Sequence, residues 1–193
     1  MAVTWFVSDT HFGHRGILSS RMDRPRPFPS IEAHDEYLIS RWNDRVRDED
    51  IVWHLGDFAY GGGHSYARQV FDQLRGRKFL IVGNHEQQGL RLPWAAPPVQ
   101  ACQVHVQDPG MPRPQGVWLS HYGHRTWPYR HRGDIHLYGH SHGSLPATSR
   151  SCDVGVDVWD FRPVRLSEIL EVLAETAARE AGDAAAAALA EAA

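Results

Sequence analysis

Apolar residues along this chain come in short runs, and each run stops at a cluster of Gly, Asp, His, Asn or Ser. Residues 2–7 are apolar with β-branched and aromatic members, which reads as a strand ending at Ser8-Asp9-Thr10-His11-Phe12-Gly13-His14. The Arg- and Pro-rich stretch 21–29 is a loop. Ile31, His34, Leu38, Trp42 and Val46 then recur at helical spacing, with Ser30 placed to cap. Residues 51–55 predict a second strand, ending at Gly56-Asp57. Gly61-Gly62-Gly63 is a break, 65–74 carries a weaker helical pattern, and 78–82 predicts a third strand ending at Gly83-Asn84-His85-Glu86. Proline is frequent over 92–114, where only 101–106 looks extended. Short strands are expected at 116–119 and 135–138, ending at Ser120-His121 and Gly139-His140-Ser141-His142. Another is expected at 153–158, followed by a helix over 167–178 that Ser167 could cap.

Strand, helix, strand, helix, strand in the first half argues for an α/β sheet with helical crossovers. Ligands of open α/β sheets bind outside the carboxyl ends of the strands. Five expected strands end in Asp, His or Asn beside Gly or Ser, so side chains spread over more than half of the chain can converge.

The 193 residues suit one domain, expected over 1–180, with an Ala/Glu-rich tail over 181–193 that reads as frayed or disordered. Apolar residues make up 42% and charged residues 22%, as in ordinary globular chains. No run is long enough to span a membrane, and the first residues lack the basic and apolar regions of a signal peptide. Two cysteines are too few for a disulfide framework, so a cytoplasmic setting is the expectation. The net charge of -3 gives no global reason to expect nucleic acid. The unusual count is 13 histidines, a residue that ligates transition metals and carries protons near neutral pH.

Asp9-x-His11 puts two ligand types on the same face of an extended segment. Asp57 adds a carboxylate whose two oxygens can bridge two cations. Asn84 offers a neutral carbonyl oxygen, and His85 a proton donor. His140 and His142 form the strongest single element, two histidines at i and i+2 after a strand. The DxH and GD matches alone are weak, since turns are rich in Asp and Gly, while GNHE is more specific. Their order, DxH then GD then GNH then H then GHxH, is far more specific, and it resembles the calcineurin-like metallophosphoesterase superfamily over roughly 3–163. The stretches Ser8 to His14, Trp53-His54-Leu55-Gly56-Asp57-Phe58 and Val154-Gly155-Val156-Asp157-Val158-Trp159 look like a compact bacterial and phage branch.

That resemblance implies an α/β fold, a β-sandwich of two mixed sheets flanked by helices (α/β/β/α). It implies that Asp9, His11 and His142 bind one metal, that Asn84, His121 and His140 bind a second, and that Asp57 bridges them. His85 would protonate the leaving oxygen while a metal-bridging hydroxide attacks phosphorus in line. An oxygen and nitrogen donor set without thiolate suits two divalent transition-metal ions, Mn foremost, with Fe, Zn, Ni or Co as alternatives. In the family Asp often follows GNH and orients the catalytic histidine; here Glu86 stands there, one methylene longer. His124 competes with His121 as ligand. His14 is a candidate for touching substrate or supporting the ligands. Asn43 is a candidate support for the metal loops or a plain helix-surface residue. Arg26, with Arg21 and Arg24, could hold a phosphate or simply be solvated. His54, inside a strand, reads as a hydrogen-bonded core histidine.

The expected activity is phosphodiester or phosphomonoester hydrolysis, with a small phosphate ester or nucleotide as the first substrate class. A nuclease acting on DNA or RNA is the runner-up, and its mark would be a basic groove. A non-catalytic metal-binding scaffold is the alternative outside enzymes. An amidohydrolase barrel needs about 250 residues and does not fit. Nothing in the sequence signals an oligomeric state.

Overall fold

A computed structural model describes residues 2–191. In chain order the elements are β1 (Thr4–Val7), α1 (Ile31–Asn43), β2 (Ile51–His54), α2 (Gly63–Gln73), β3 (Arg77–Leu80), β4 (Ala101–Val106), β5 (Gln115–Ser120), β6 (Ile135–Tyr138), β7 (Ser151–Asp153), β8 (Val164–Arg165) and α3 (Leu166–Glu191). They build two mixed four-stranded sheets, ordered β3-β2-β1-β8 and β4-β5-β6-β7, with three helices around them. β1, β2 and β3 run parallel, as the helical crossovers require, and β8 closes the sheet antiparallel to β1. In the second sheet β5, β6 and β7 are parallel and β4 is antiparallel to β5.

Side chains alternate across each sheet and so divide the core in two. On one side of the first sheet Trp5, Val7 and Val52 pack with Leu38 and Trp42 of α1 and with Val70 and Phe71 of α2. Between the sheets Phe6, Leu55 and Ile81 meet Val117, Leu119 and Leu137, together with Ile169 and Leu173 of α3. α3 thereby closes the side where β7 and β8 are edge strands. Ser30 caps α1 as expected, its Oγ accepting the Ala33 amide at 3.2 Å.

Three local expectations differ. Residues 153–158 are not one strand: β7 ends at Asp153, and Val156–Val158 is a 3-10 turn. Ser167 does not cap α3; its own amide donates to Asp108 Oδ2 at 2.9 Å, so a distant carboxylate caps the helix. α3 also continues past the expected end near 178 to Glu191, in line with the high helix propensity of its alanines. No helix among the described residues is long and apolar enough to cross a membrane.

The outer face of the second sheet is covered by the connection between β5 and β6. There His136 is fully buried, against Trp127 at 5.2 Å and His124 at 5.1 Å between ring centroids. Its Nδ1 lies 3.1 Å from the Trp118 carbonyl and its Nε2 accepts the His124 amide at 2.9 Å, the pattern of a neutral imidazole. Burial pushes its pKa down to about 4. A depressed histidine pKa contributes stability that is complete above the unfolded value near 6.5 and is lost as the pH falls toward 4. Between pH 6.5 and 5 His136→Gln should therefore show a shallower loss of unfolding free energy than the parent, by up to about 1.4 kcal/mol per pH unit. Urea titrations across that range test this, and parallel slopes would contradict it.

Candidate metal centre

The parallel ladder between β1 and β2 continues past the strand ends. The Asp9 amide donates to the Gly56 carbonyl at 3.0 Å and the His11 amide to the Asp57 carbonyl at 3.0 Å. Asp9, His11 and Asp57 are thus carried on paired backbone. In the second sheet the Gly139 amide donates to the His121 carbonyl at 2.9 Å, which ties the two histidine-bearing loops together. The His140 amide then donates to both Asp9 carboxylate oxygens, at 3.1 and 2.9 Å, and joins the sheets across the cluster.

Two donor groups result. Asp9, His11 and His142 present one ligand atom each, all within 4.8 Å of one another, and Asp57, His121 and His140 do the same. Asn84 adds its Oδ1, 2.9 Å from His121 Nε2. Asp57 stands between the groups: its Oδ2 is 3.6 Å from His11 Nε2 and 3.6 Å from His121 Nε2. Its Oδ1 accepts the His85 amide at 2.8 Å, so the backbone of His85 is anchored while its ring is not.

Five of these residues, Asp9, His11, Asp57, His140 and His142, have φ between 47° and 63°. Left-handed backbone is uncommon outside glycine and costs free energy, and it gathers at sites where the fold over-determines it. Here it turns five side chains inward just beyond the strands. Two glycines permit the crowding. A Cβ on Gly56 would sit 2.5 Å from His121 Nδ1, and one on Gly139 would collide with the side chains of Ser8 and Asp9.

The donor set fits divalent cations. Both ring nitrogens of the buried His11 lack a hydrogen-bond partner. His121 Nδ1 is 2.7 Å from the Leu55 carbonyl, so Nδ1 carries the proton and Nε2 turns a lone pair toward the oxygens of Asn84 and Asp57. His142 Nδ1 is 2.7 Å from Asp157 Oδ2, which leaves Nε2 for coordination. Burial, with Asp153 and Asp57 nearby, pushes the Asp9 carboxyl up to about 8 despite His142. Burial and the charge of Arg26 hold His11 well below its usual value. Lone pairs facing lone pairs, beside a carboxyl short of counter-charge, is the arrangement that a cation relieves.

Other residues named from the sequence take different places. His124 is not in the cluster: its Nδ1 accepts the Trp118 indole N–H at 3.2 Å and its ring stacks on His136, so His121 is the histidine of this loop that joins the second donor group. His54 is a core histidine, 2.9 Å from Thr10 Oγ1, with its pKa lowered by burial to about 3. His14 lies at the cluster edge, with ring centroids 5.3 Å from His11 and 4.8 Å from Tyr60. Asn43 is remote from the cluster and belongs to the helix surface: it binds the Gln73 carbonyl at 2.9 Å and the Arg75 amide at 3.0 Å, which fixes the turn into β3.

Glu86 does not orient His85. Its buried carboxylate accepts the amides of Asp57 at 2.6 Å and Phe58 at 3.3 Å, and of Gly83 at 3.4 Å. The longer side chain reaches past the histidine and clamps the two ligand loops to each other. Burial and the Asp57 charge raise its pKa to about 7.

Arg26 is neither a phosphate clamp nor solvated. It is 3% exposed, with Nη2 on the Asp9 carbonyl at 2.6 Å, Nη1 on the Thr10 carbonyl at 3.0 Å, and a two-pronged pair with Asp157 at 2.8 and 2.7 Å. The loop folds back beneath the centre, and the guanidinium fits the carboxylate fork. Asp157, within the stretch Val154 to Trp159, carries no sequence signal of its place; it joins Arg26 to His142, and although burial pushes its carboxyl up, those two partners hold it well below the usual carboxylate range. Such outer partners commonly matter 10- to 100-fold for affinity. Asp157→Asn should weaken binding of a divalent cation at the donor group of Asp9, His11 and His142 by about that factor. Titration calorimetry reads this, and an unchanged affinity would remove Asp157 from the centre.

A family profile described as calcineurin-like phosphoesterase matches residues 2–144. The gene 66 proteins of mycobacteriophages D29 and L5 are 31% and 28% identical, over 90% of this chain and 96% and 95% of theirs. The uncharacterised protein MJ1445 of Methanocaldococcus jannaschii is 29% identical over 90% of this chain and 92% of its own. Among solved structures, the protein of unknown function AQ665 from Aquifex aeolicus shares the fold, with a TM-score of 0.63 and 20% identity over 89% of this chain and all of that one. The profile spans both donor groups and all seven candidate ligands, so the chain belongs to the calcineurin-like phosphoesterase family, a family of metal-dependent hydrolases of phosphate esters.

Proposed function

We propose that the protein is a phosphodiesterase with a two-metal centre. The observation that carries this is the position of Asp57 Oδ2, 3.6 Å from a histidine of each donor group. Asp9, His11 and His142 would hold one divalent ion, Asn84, His121 and His140 the other, with Asp57 shared. Oxygen and nitrogen donors without thiolate favour Mn, with Fe, Zn, Ni or Co as alternatives. Bound there, such ions lower the pKa of water and offset charge on the phosphoryl oxygens.

The chain's own residues do the rest. His85 lies at the rim, with its ring centroid 5.9 Å from His11 and 4.8 Å from Tyr60, and gives a proton to the departing oxygen. Asp57 Oδ1 holds the His85 backbone, which keeps the acid in register with the centre. Glu86, Arg26 and Asp157 fix the ligand loops, so little reorganisation is needed during reaction. The rim residues Tyr60 and Tyr122 are exposed, and a cavity of about 670 Å³ beside His14 and Tyr60 leaves room for the organic groups of a diester.

Bis-p-nitrophenyl phosphate with Mn²⁺, Ni²⁺, Zn²⁺ or Co²⁺ should be turned over faster than p-nitrophenyl phosphate. Tight metal binding without turnover of either ester would favour a scaffold; a monoester preference would make the protein a phosphatase.

A further inference from the structure

The net charge of -3 conceals a local reversal. Residues 109–152 contain five arginines, no lysine and one acid, Asp134. Asp134 is buried and bonded to Gln103. The arginines that form ion pairs among the described residues are Arg15, Arg26, Arg41, Arg45, Arg68 and Arg162, so none comes from this stretch. Arg125, Arg130, Arg132 and Arg150 are all exposed. Arg130 lies over the Trp127 ring and Arg132 over the Tyr129 ring, at 5.3 and 5.4 Å, which fixes two of the guanidinium groups without neutralising them.

Two of these arginines, Arg125 and Arg130, line one groove. The connections β5–β6 and β6–β7 both leave the ligand end of the second sheet and return to its opposite end. Between them, on the outer face, is a groove of about 690 Å³ that runs from Gly123 past Arg125 to Arg130. Its one acidic lining residue is Glu180 of α3, which accepts the Ser149 amide at 3.1 Å. At the metal end stands Tyr122, 49% exposed, with its ring 4.6 Å from His140 and its hydroxyl 3.5 Å from Asn84 Oδ1. On the other side of the centre Tyr60 stands against His85. An exposed aromatic on either side of a phosphate site, continued by unpaired arginines interleaved with rings, is the pattern that holds unpaired bases and their backbone.

We propose that the phosphodiester acted on lies in a single-stranded nucleic acid, which passes between Tyr60 and Tyr122 and continues along this groove. The proposal rests on the diesterase reading and names its substrate class. A duplex is disfavoured, because paired bases cannot stack on the tyrosines.

The test uses the metal-loaded protein and a short fluorescein-labelled oligothymidylate with phosphorothioate linkages, titrated by anisotropy at several salt concentrations. Wild type should bind it more tightly than a blunt duplex of the same length. Arg125→Gln/Arg130→Gln should bind about tenfold more weakly at 0.1 M salt, with a salt slope shallower by about 1.4, the value for two lost phosphate contacts. Arg125→Lys/Arg130→Lys should keep affinity and slope. No binding by wild type, equal binding of duplex, or a glutamine pair that binds like wild type would overturn the proposal. Wild-type turnover of bis-p-nitrophenyl phosphate, measured alongside, separates the two readings. If it proceeds while the oligonucleotide fails to bind, only the groove is wrong; if it is absent, the diesterase reading falls.

Discussion

Asp57→Asn is expected to lose at least about 10³-fold in turnover and to lower the metal content at both donor groups together. The substitution keeps size and shape, so Oδ1 can still accept the His85 amide. What disappears is the negative charge 3.6 Å from both His11 and His121. The cation-free protein should respond in the opposite sense. Asp9 is buried and its pKa is raised partly by Asp57, so removal of one of two crowded carboxylates relieves repulsion. The variant stripped by chelator should melt no lower than stripped wild type, whereas added Mn²⁺ should raise the melting temperature of wild type far more than that of the variant. Metal analysis by mass spectrometry and thermal melts decide this. Full occupancy of either group in Asp57→Asn would show that the carboxylate is not shared.

His85→Ala is the second large effect, and its signature differs. About 10²- to 10⁴-fold in kcat is expected to be lost for a diester with a poor, alkoxide leaving group, and much less for a p-nitrophenyl ester. Metal content should stay at the wild-type level, because only the backbone amide of His85 touches the ligand set. The contrast between leaving groups is what identifies a proton donor. Equal losses for both esters would point to substrate positioning, and loss of metal would make His85 a ligand.

The side chains that converge here are largely legible because each sits where a hydrophobic run stops, and runs are visible in one dimension. The chain could not show what holds them. Glu86 reads as a neighbour of His85, yet its carboxylate turns to the amides of Asp57, Phe58 and Gly83. Arg26 sits in a stretch that reads as a solvated loop, yet it is buried between the backbone of Asp9 and Thr10 and the carboxylate of Asp157. Asp157 lies in a stretch expected to be strand; as part of a 3-10 turn it faces His142 instead. β8 is two residues long and carries no periodicity to read.

The basic groove shows the same limit for charge. A sum over the whole chain is acidic, and only the folding of two return connections over one sheet face brings Arg125 and Arg130 together.

What the sequence determined by itself was the alternation of strands and helices and the chemical identity of the side chains that meet in the two donor groups, since hydrophobic periodicity and strand-end residues are local properties. What the tertiary structure alone decided was the left-handed backbone at Asp9, His11, Asp57, His140 and His142, the clamps that pay for it, and the separation of His121 from His124. The physical reason is that a strained backbone persists only where contacts distant in sequence over-determine it, and no local pattern encodes those contacts.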